Sequence, residues 1–245
     1  ALKVKIAPEG KSLDLADVSF VVNPYDEFAV EEALQIKERM GGEVIVVSAG
    51  AERATAGVRT CLAMGADSGV FIRDDSLENA DPFLIGSALA QVCRGLAPDL
   101  IFFGKHAIGV DNSRVPAVVA QLLDLPQVSV VVKLEIKDGT FRAEREIEGA
   151  HEVIEGSLPA VFTAQKGLNM PRYASLKGIM AAKKKEIRVV SLDSLALSPD
   201  DLQSRVEVVQ VTLPAPRPPG KILTGDVSQT VPELVRLLHD EAKVI

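Results

Sequence analysis

Residues Leu100–Leu123 read LIFFGKHAIGVDNSRVPAVVAQLL, and the fold class turns on them. Leu100-Ile101-Phe102-Phe103 is a short continuous apolar run, the pattern of a strand covered on both faces in a parallel sheet. Gly104 ends it, and Lys105 to Val110 cross a polar loop. Asp111-Asn112-Ser113 follow, all residue types that cap helix starts. Pro116 falls in a first turn, where backbone N–H groups have no intrahelical partner. Val115 to Leu123 is then mostly apolar, as a helix lying on a sheet must be. In open parallel sheets small ligands settle at the carboxyl ends of strands, and free N–H groups at a helix start suit phosphate. The stretch is thus a candidate nucleotide-phosphate cradle, built on a strand–loop–helix unit that ordinary crossovers share.

The chain on either side repeats the pattern. Upstream, Leu2 to Ile6 alternates like a half-exposed strand, Pro8-Glu9-Gly10 turns, and Val18 to Val22 continues a hairpin. Asn23-Pro24 breaks that run, and Asp26 to Met40 spaces Phe28, Ala29, Ala33, Ile36 and Met40 as one helical face, closed by Gly41-Gly42. Val44 to Val47 is a buried strand, Ala51 to Met64 a helix, Gly69 to Ile72 a strand, and Asp81-Pro82 opens a helix through Leu96. Such alternation predicts an α/β fold with an open, mostly parallel sheet and flanking helices. Right-handed crossovers put the loops after Val22, Val47 and Phe103 on one sheet edge, as a shared pocket.

After Pro126 the pattern turns β-rich. Val128 to Ile136, Phe141 to Ile147 and Leu158 to Thr163 read as strands, with Asp138-Gly139 a hairpin turn. Gly167 to Lys185 becomes helical toward Lys183-Lys184-Lys185, and Ile187 to Leu192 is a further strand. Arg205 to Leu213 alternates, Pro214 to Pro219 is a stiff linker, and Val231 to Val244 a short helix. The expected division is an α/β domain over 1–204 and a C-terminal arm over 205–245.

Composition narrows the function classes. The 245 residues are 47% hydrophobic and 25% charged, ample for a core, and the formal net charge of -7 argues against nucleic acid or an anionic membrane as partner. Trp is absent, which disfavours stacking surfaces for single strands. Cys61 and Cys93 have no metal-ligand spacing and read as buried small hydrophobes. No apolar run approaches the roughly 20 residues that cross a bilayer. No targeting segment is visible, and the chain begins with Ala1 rather than Met. A bacterial cytoplasm is expected in preference to the mitochondrial matrix.

Phosphate-loop, dinucleotide, nucleophile-elbow and zinc motifs are all missing. His106, His151 and His239 are scattered, and Asp74-Asp75 and Asp200-Asp201 read as solvated turns. Nothing pairs a nucleophile with a base, which disfavours an enzyme that makes or breaks covalent bonds.

Four motifs, in order across nearly the whole chain, carry a resemblance. They are Asn23-Pro24-Tyr25-Asp26-Glu27-Phe28-Ala29-Val30-Glu31-Glu32-Ala33, Thr60-Cys61-Leu62-Ala63-Met64-Gly65-Ala66-Asp67, Gly104-Lys105-His106-Ala107-Ile108, and Leu168-Asn169-Met170-Pro171-Arg172-Tyr173-Ala174-Ser175-Leu176 with Ile179-Met180 and the lysine run beyond. Together they resemble the β subunits of electron-transfer flavoproteins. The resemblance implies half of an αβ heterodimer carrying electrons from flavin dehydrogenases, such as acyl-CoA dehydrogenases of fatty acid oxidation, to a quinone-linked oxidoreductase or similar acceptor. It implies an FAD held mostly by the α subunit and partly enclosed by the β subunit, and an AMP bound by the β subunit itself. In flavin-bifurcating relatives a second FAD takes the place of the AMP.

Carried over, the cofactor-binding residues are Asn23, Pro24, Tyr25, Asp26, Ala49, Gly104, Lys105, His106, Ala107, Ile108, Gly109, Val110, Asp111, Asn112, Ser113, Arg114 and Val115. Asn23, Tyr25 and Asp26 meet base or ribose, the amides near Asp111 to Ser113 hold phosphate, and Tyr25 reaches toward the flavin. Pro171, Arg172, Tyr173, Leu176, Ile179, Met180, Lys183 and Lys184 form the partner-binding segment, with Leu176 the apolar anchor offered to a client dehydrogenase. Family members usually carry a buried strand and a basic loop ahead of the position of Ala1, so a first strand is expected to precede it. Gly109-Val110 stands where many members are more acidic, and Arg114 lies near the phosphate end. AMP is the expectation, with a second FAD as the alternative. Two further readings compete: a nucleotide hydrolase or adenylating enzyme of similar topology, whose SGGxDS-type loop is missing here, and a homodimeric nucleotide sensor.

Overall fold

A computed structural model describes residues 4–16, 18–217 and 219–245. Six helices and eight strands are found among them: α1 (Pro24–Met40), β1 (Ile45–Gly50), α2 (Thr55–Met64), β2 (Ser68–Arg73), α3 (Pro82–Leu96), β3 (Leu100–Gly104), α4 (Arg114–Leu123), β4 (Gln127–Lys137), β5 (Thr140–Ile147), β6 (Ala150–Ser157), β7 (Ala160–Ala164), α5 (Leu176–Ala182), β8 (Ile187–Ser191) and α6 (Val227–Arg236). The α/β class is as the alternation requires.

The strands form two sheets. One is wholly parallel with order β1-β2-β8, the other has order β3-β7-β4-β5-β6, parallel as far as β4 and antiparallel beyond. Strand geometry sorts the side chains onto opposite faces. In β3, Ile101 and Phe103 point into a core under α3 and α4, while Leu100 and Phe102 point to a second core with β4, β5 and Ile36 of α1. Val161 of β7 joins the first and Phe162 the second. In β2, Val70 and Ile72 face α3, and Phe71 faces α2 and α5. The fully buried ones, Phe71, Ile72, Val161 and Phe162, each contribute about 1.5–3 kcal/mol. The α3–α4 core runs beneath strands of both sheets and joins them into one body.

Local signals set the ends. Asn23 precedes Pro24, which starts α1 with its fixed φ where a missing N–H costs nothing. Asp81 caps α3, accepting from the Leu84 amide at 2.9 Å. It also accepts from the amides of Arg205 and of Val206, the latter at 3.1 Å, so the same carboxylate holds the beginning of the C-terminal arm. The arm passes the N-terminal segment, where Lys11 pairs with Glu207 at 2.8 Å and the Val211 amide donates to Gly10 O. Cys61 and Cys93 are buried, which pushes their thiols up to about 12 and about 11.

Several expectations need correcting. Val18 to Val22 is no strand: Phe20 instead lies under the Arg53 guanidinium, 4.4 Å from its ring centroid. The strand expected from Leu2 to Ile6 starts outside the described residues, and only an isolated Ile6–Leu13 bridge forms within them. Strand β6 was not anticipated, and Arg205 to Leu213 has no regular structure. The expected Pro214–Pro219 linker contains Pro218, which lies outside the described residues; the rest of it is irregular. Met40 is exposed, while Glu31 and Glu32 of α1 are buried.

Candidate functional site

Two of the three loops read as one pocket are joined by hydrogen bonds. Asn23 Nδ2 donates to Asp26 Oδ2 and to His106 O, both at 2.9 Å, and Asn23 Oδ1 accepts from the Ile108 amide at 3.2 Å. Asp26 Oδ1 accepts from the Gly104 amide at 2.6 Å. The start of α1 is thereby latched to the turn that leaves β3. Burial raises the Asp26 carboxyl above its ordinary value, against the lowering effect of the Gly104 and Asn23 hydrogen bonds. These two polar side chains, expected to meet base or ribose, also shape the loop. A polar residue at a helix start looks the same in sequence whichever it does.

Tyr25 sits over this latch. Its ring meets the His106 imidazole edge-on at 4.8 Å, and Lys105 Nζ lies 4.8 Å from the ring centroid. His106 Nε2 in turn stands 3.2 Å from Asp111 Oδ1 across the loop. Ala107 to Arg114 are exposed, and Pro24 with them. Gly109, Asp111 and Ser113 all have positive φ, of 92°, 51° and 51°. Two non-glycine residues in the left-handed region within three positions store strain, a feature that clusters at ligand-holding loops. Ser113 makes no side-chain cap on α4, though Asn112 Oδ1 accepts from the Arg114 amide at 3.2 Å. An exposed ten-residue helix start without its own cap fits a phosphate group. Val115 is half-buried behind it. Ala49 is half-buried at the carboxyl end of β1 and packs toward the same core as Phe103 and Val115.

An open cleft of about 460 Å³ lies apart from this loop, between Ser12–Ala16 with Phe20 and the turn that precedes α2, at Ala51, Arg53 and Ala54. Arg53 bridges it by pairing with Glu78 and covering Phe20. It brings none of the expected site residues together.

The partner-binding segment divides into residues that face inward and residues that face out. Met170, Tyr173 and Leu176 are 86%, 98% and 84% exposed. Ile179 and Met180 on α5 are exposed too, and Pro171 is half-buried. Arg172, expected at a partner surface, is turned onto α1. Its Nε and one terminal nitrogen donate to the two oxygens of Glu31, at 2.8 and 3.0 Å, and its terminal nitrogens donate to Glu38 at 2.5 and 3.1 Å. Lys183 and Lys184 are exposed, but Lys185 donates inward to the carbonyls of Leu62 and Ala66 at the end of α2. Arg59 answers from α2, donating to Ala182 O and Lys185 O at 2.7 Å.

The buried partners of this segment were missed in sequence. Glu31 and Glu32 are 3% and 4% exposed. Asn169 Nδ2 donates to Glu32 Oε2 and to Phe28 O, both at 3.0 Å. Burial would raise the Glu31 carboxyl, but the hydrogen bonds from Arg172 and Gln35 outweigh it and leave it lowered. In Glu32 burial prevails over Asn169 and Arg39, and the carboxyl is raised. The available signal was spacing: Glu32 stands four residues after Phe28 and four before Ile36, on the face those apolar residues define.

Comparison with known proteins agrees with the four motifs. Residues 12–195 match the family model described as "Electron transfer flavoprotein domain". The chain is 41% identical over 242 residues to the electron transfer flavoprotein subunit beta of Bacillus subtilis, covering 98% of this chain and 94% of that protein. It is 38% identical to the subunit of the same name from Bradyrhizobium diazoefficiens and 36% identical to that from Mus musculus, in both cases over all of this chain and 94% of the relative. From its fold, its ordered motifs and these full-length similarities, the chain belongs to the electron transfer flavoprotein family, as a β subunit.

Proposed function

We propose that this β subunit pairs with an α subunit, binds AMP on the 104–115 loop and helps to enclose the FAD that the α subunit holds. It performs no bond chemistry of its own. The bound FAD would supply reversible electron storage; this chain's residues position, cover and dock. Electrons come from flavin dehydrogenases, such as acyl-CoA dehydrogenases, and pass to a quinone-linked oxidoreductase or similar acceptor. The cytoplasm is the proposed compartment; among the described residues no helix is long and apolar enough to cross a membrane.

The observation that carries this reading is a row of apolar side chains left outside on a segment that is otherwise tied down: Met170, Tyr173 and Leu176. An electron carrier must leave its clients quickly, and a single apolar anchor suits short-lived complexes better than a broad interface. For the nucleotide, the uncapped start of α4 and the latched loop before it support a phosphate site. Asn23 and Asp26 hold that loop in place, Tyr25 with Lys105 and His106 forms its outer wall, and Arg114 stands at the exposed phosphate end.

The test is the absorption spectrum and released nucleotide of the co-expressed heterodimer. One flavin with AMP is expected. Two flavins would favour the bifurcating type, and ATP consumption by the chain would favour an adenylating or hydrolytic enzyme. Docking is tested by Leu176→Ala. A buried leucine is worth about 1.5–3 kcal/mol, so the KM of a reduced acyl-CoA dehydrogenase for the heterodimer should rise about tenfold or more, with flavin content kept. Unchanged KM with several dehydrogenases would defeat the docking assignment.

A further inference from the structure

Residues 169–176 alternate between side chains that reach inward and side chains left outside. Asn169 reaches in to Glu32 and the Phe28 carbonyl, Arg172 reaches in to Glu31 and Glu38, and Ala174 packs against the α2–α5 core. Met170 and Tyr173 between these inward points, and Leu176 just beyond them, stand outside. Ser175 then caps α5, its Oγ accepting from the Gly178 amide at 3.0 Å. The backbone is held as well, since the Arg172 amide donates to Glu31 Oε2 at 3.1 Å.

We propose that Arg172 is a positioning residue, which with Asn169 clamps the segment onto α1 so that Met170, Tyr173 and Leu176 are presented in fixed register, and which does not itself touch the client. The proposal rests on the docking reading above and adds the part of the machinery that gives the anchor its place. Two facts fix the role. The Glu31 side chain is 4% exposed and needs a cation, because an unpaired buried carboxylate is strongly destabilising. Arg172 supplies one as a bidentate fork, a geometry lysine cannot copy. A guanidinium already engaged by two carboxylates offers little to an acidic client. Ordering the segment beforehand removes part of the entropy that docking would otherwise cost.

The experiment uses the co-expressed heterodimer with a reduced acyl-CoA dehydrogenase, comparing Arg172→Gln, Arg172→Lys, Glu38→Gln and Leu176→Ala. Arg172→Gln should raise KM about tenfold, the rise outweighing any fall in kcat, and should speed amide hydrogen exchange over residues 170–177. Arg172→Lys should recover only part of the loss. Glu38→Gln, which removes the exposed half of the clamp and spares the buried half, should give a smaller change in the same direction. It carries the test if Arg172→Gln does not fold. A rise in KM with Leu176→Ala but none with the folded clamp variants would overturn the clamp and leave docking intact. No change with Leu176→Ala would remove the docking reading instead. A lowered melting temperature with unaltered KM and exchange would make Arg172 merely structural, against the proposal.

Discussion

Gly104 shows how much one position decides. A Cβ there would stand 2.7 Å from the carbonyl carbon and Cβ of Tyr25 and 2.8 Å from the Asp26 nitrogen. Most of these are backbone atoms of the first turn of α1, held close because Asp26 takes the Gly104 amide. Gly104→Ala should therefore push the helix start off the end of β3, costing about 1–3 kcal/mol and lowering the nucleotide recovered with the heterodimer. Thermal melts and nucleotide content check both; an alanine variant as stable and as loaded as the parent would mean that the helix start can give way. The sequence marks Gly104 as the end of a strand, but not what the missing side chain makes room for, because Tyr25 and Asp26 arrive from another part of the chain. The same limit hides the uses of Asn23, Asp26 and Arg172. Their polarity was legible, and the partner that consumes it was not, since that depends on which element lies alongside.

Elements were legible where one short-range signal sufficed. The Asp81-Pro82 start of α3 and the apolar runs of β1, β2 and β3 are local patterns, and the structure has them within a residue or two to three. Strand β6 is different: it is an edge strand, exposed except at Ile154 and Gly156, and its glutamates and histidine conceal the alternation. Val18 to Val22 shows the converse, a strand-like pattern that finds no neighbour to pair with. Asp81 has a second duty that no local pattern reveals, since its carboxylate takes two amides of the arm as well as that of Leu84. Burial would raise this carboxyl and the amides more than offset it, so it lies below its ordinary 3.8. Its contribution is accordingly complete above that pH and lost as pH falls through the folded value. Asp81→Ala should cost about 2 kcal/mol or more and expose the chain near Arg205 to protease, as a denaturant midpoint and a timed digestion would reveal. Asp81→Asn, which keeps an acceptor oxygen, should lose less.

At the scale of the whole molecule the body and the arm differ in kind. The body has cores on both faces of its sheets, whereas α6 buries none of its residues and leaves Val227, Val231, Leu234 and Val235 exposed at helical spacing. Val208, Val209, Leu213 and Ile222 are exposed along the way to it. Much of the order visible in the arm is internal, as in the Glu233 pairs with Lys221 and Arg236. We propose that a partner covers this apolar stripe, and that in this β subunit the partner is the α subunit. Removing residues 214–245 cuts beyond the Asp81, Glu207 and Val211 attachments, so the body should keep its fold, with a melting temperature within about 4 °C of the full chain. Recovery of the α subunit by co-purification should fall sharply, and the yellow colour with it. A truncated chain that still brought down a flavin-loaded α subunit in full yield would place the subunit contact on the body instead. A collapse in melting temperature would show that the arm belongs to the core after all.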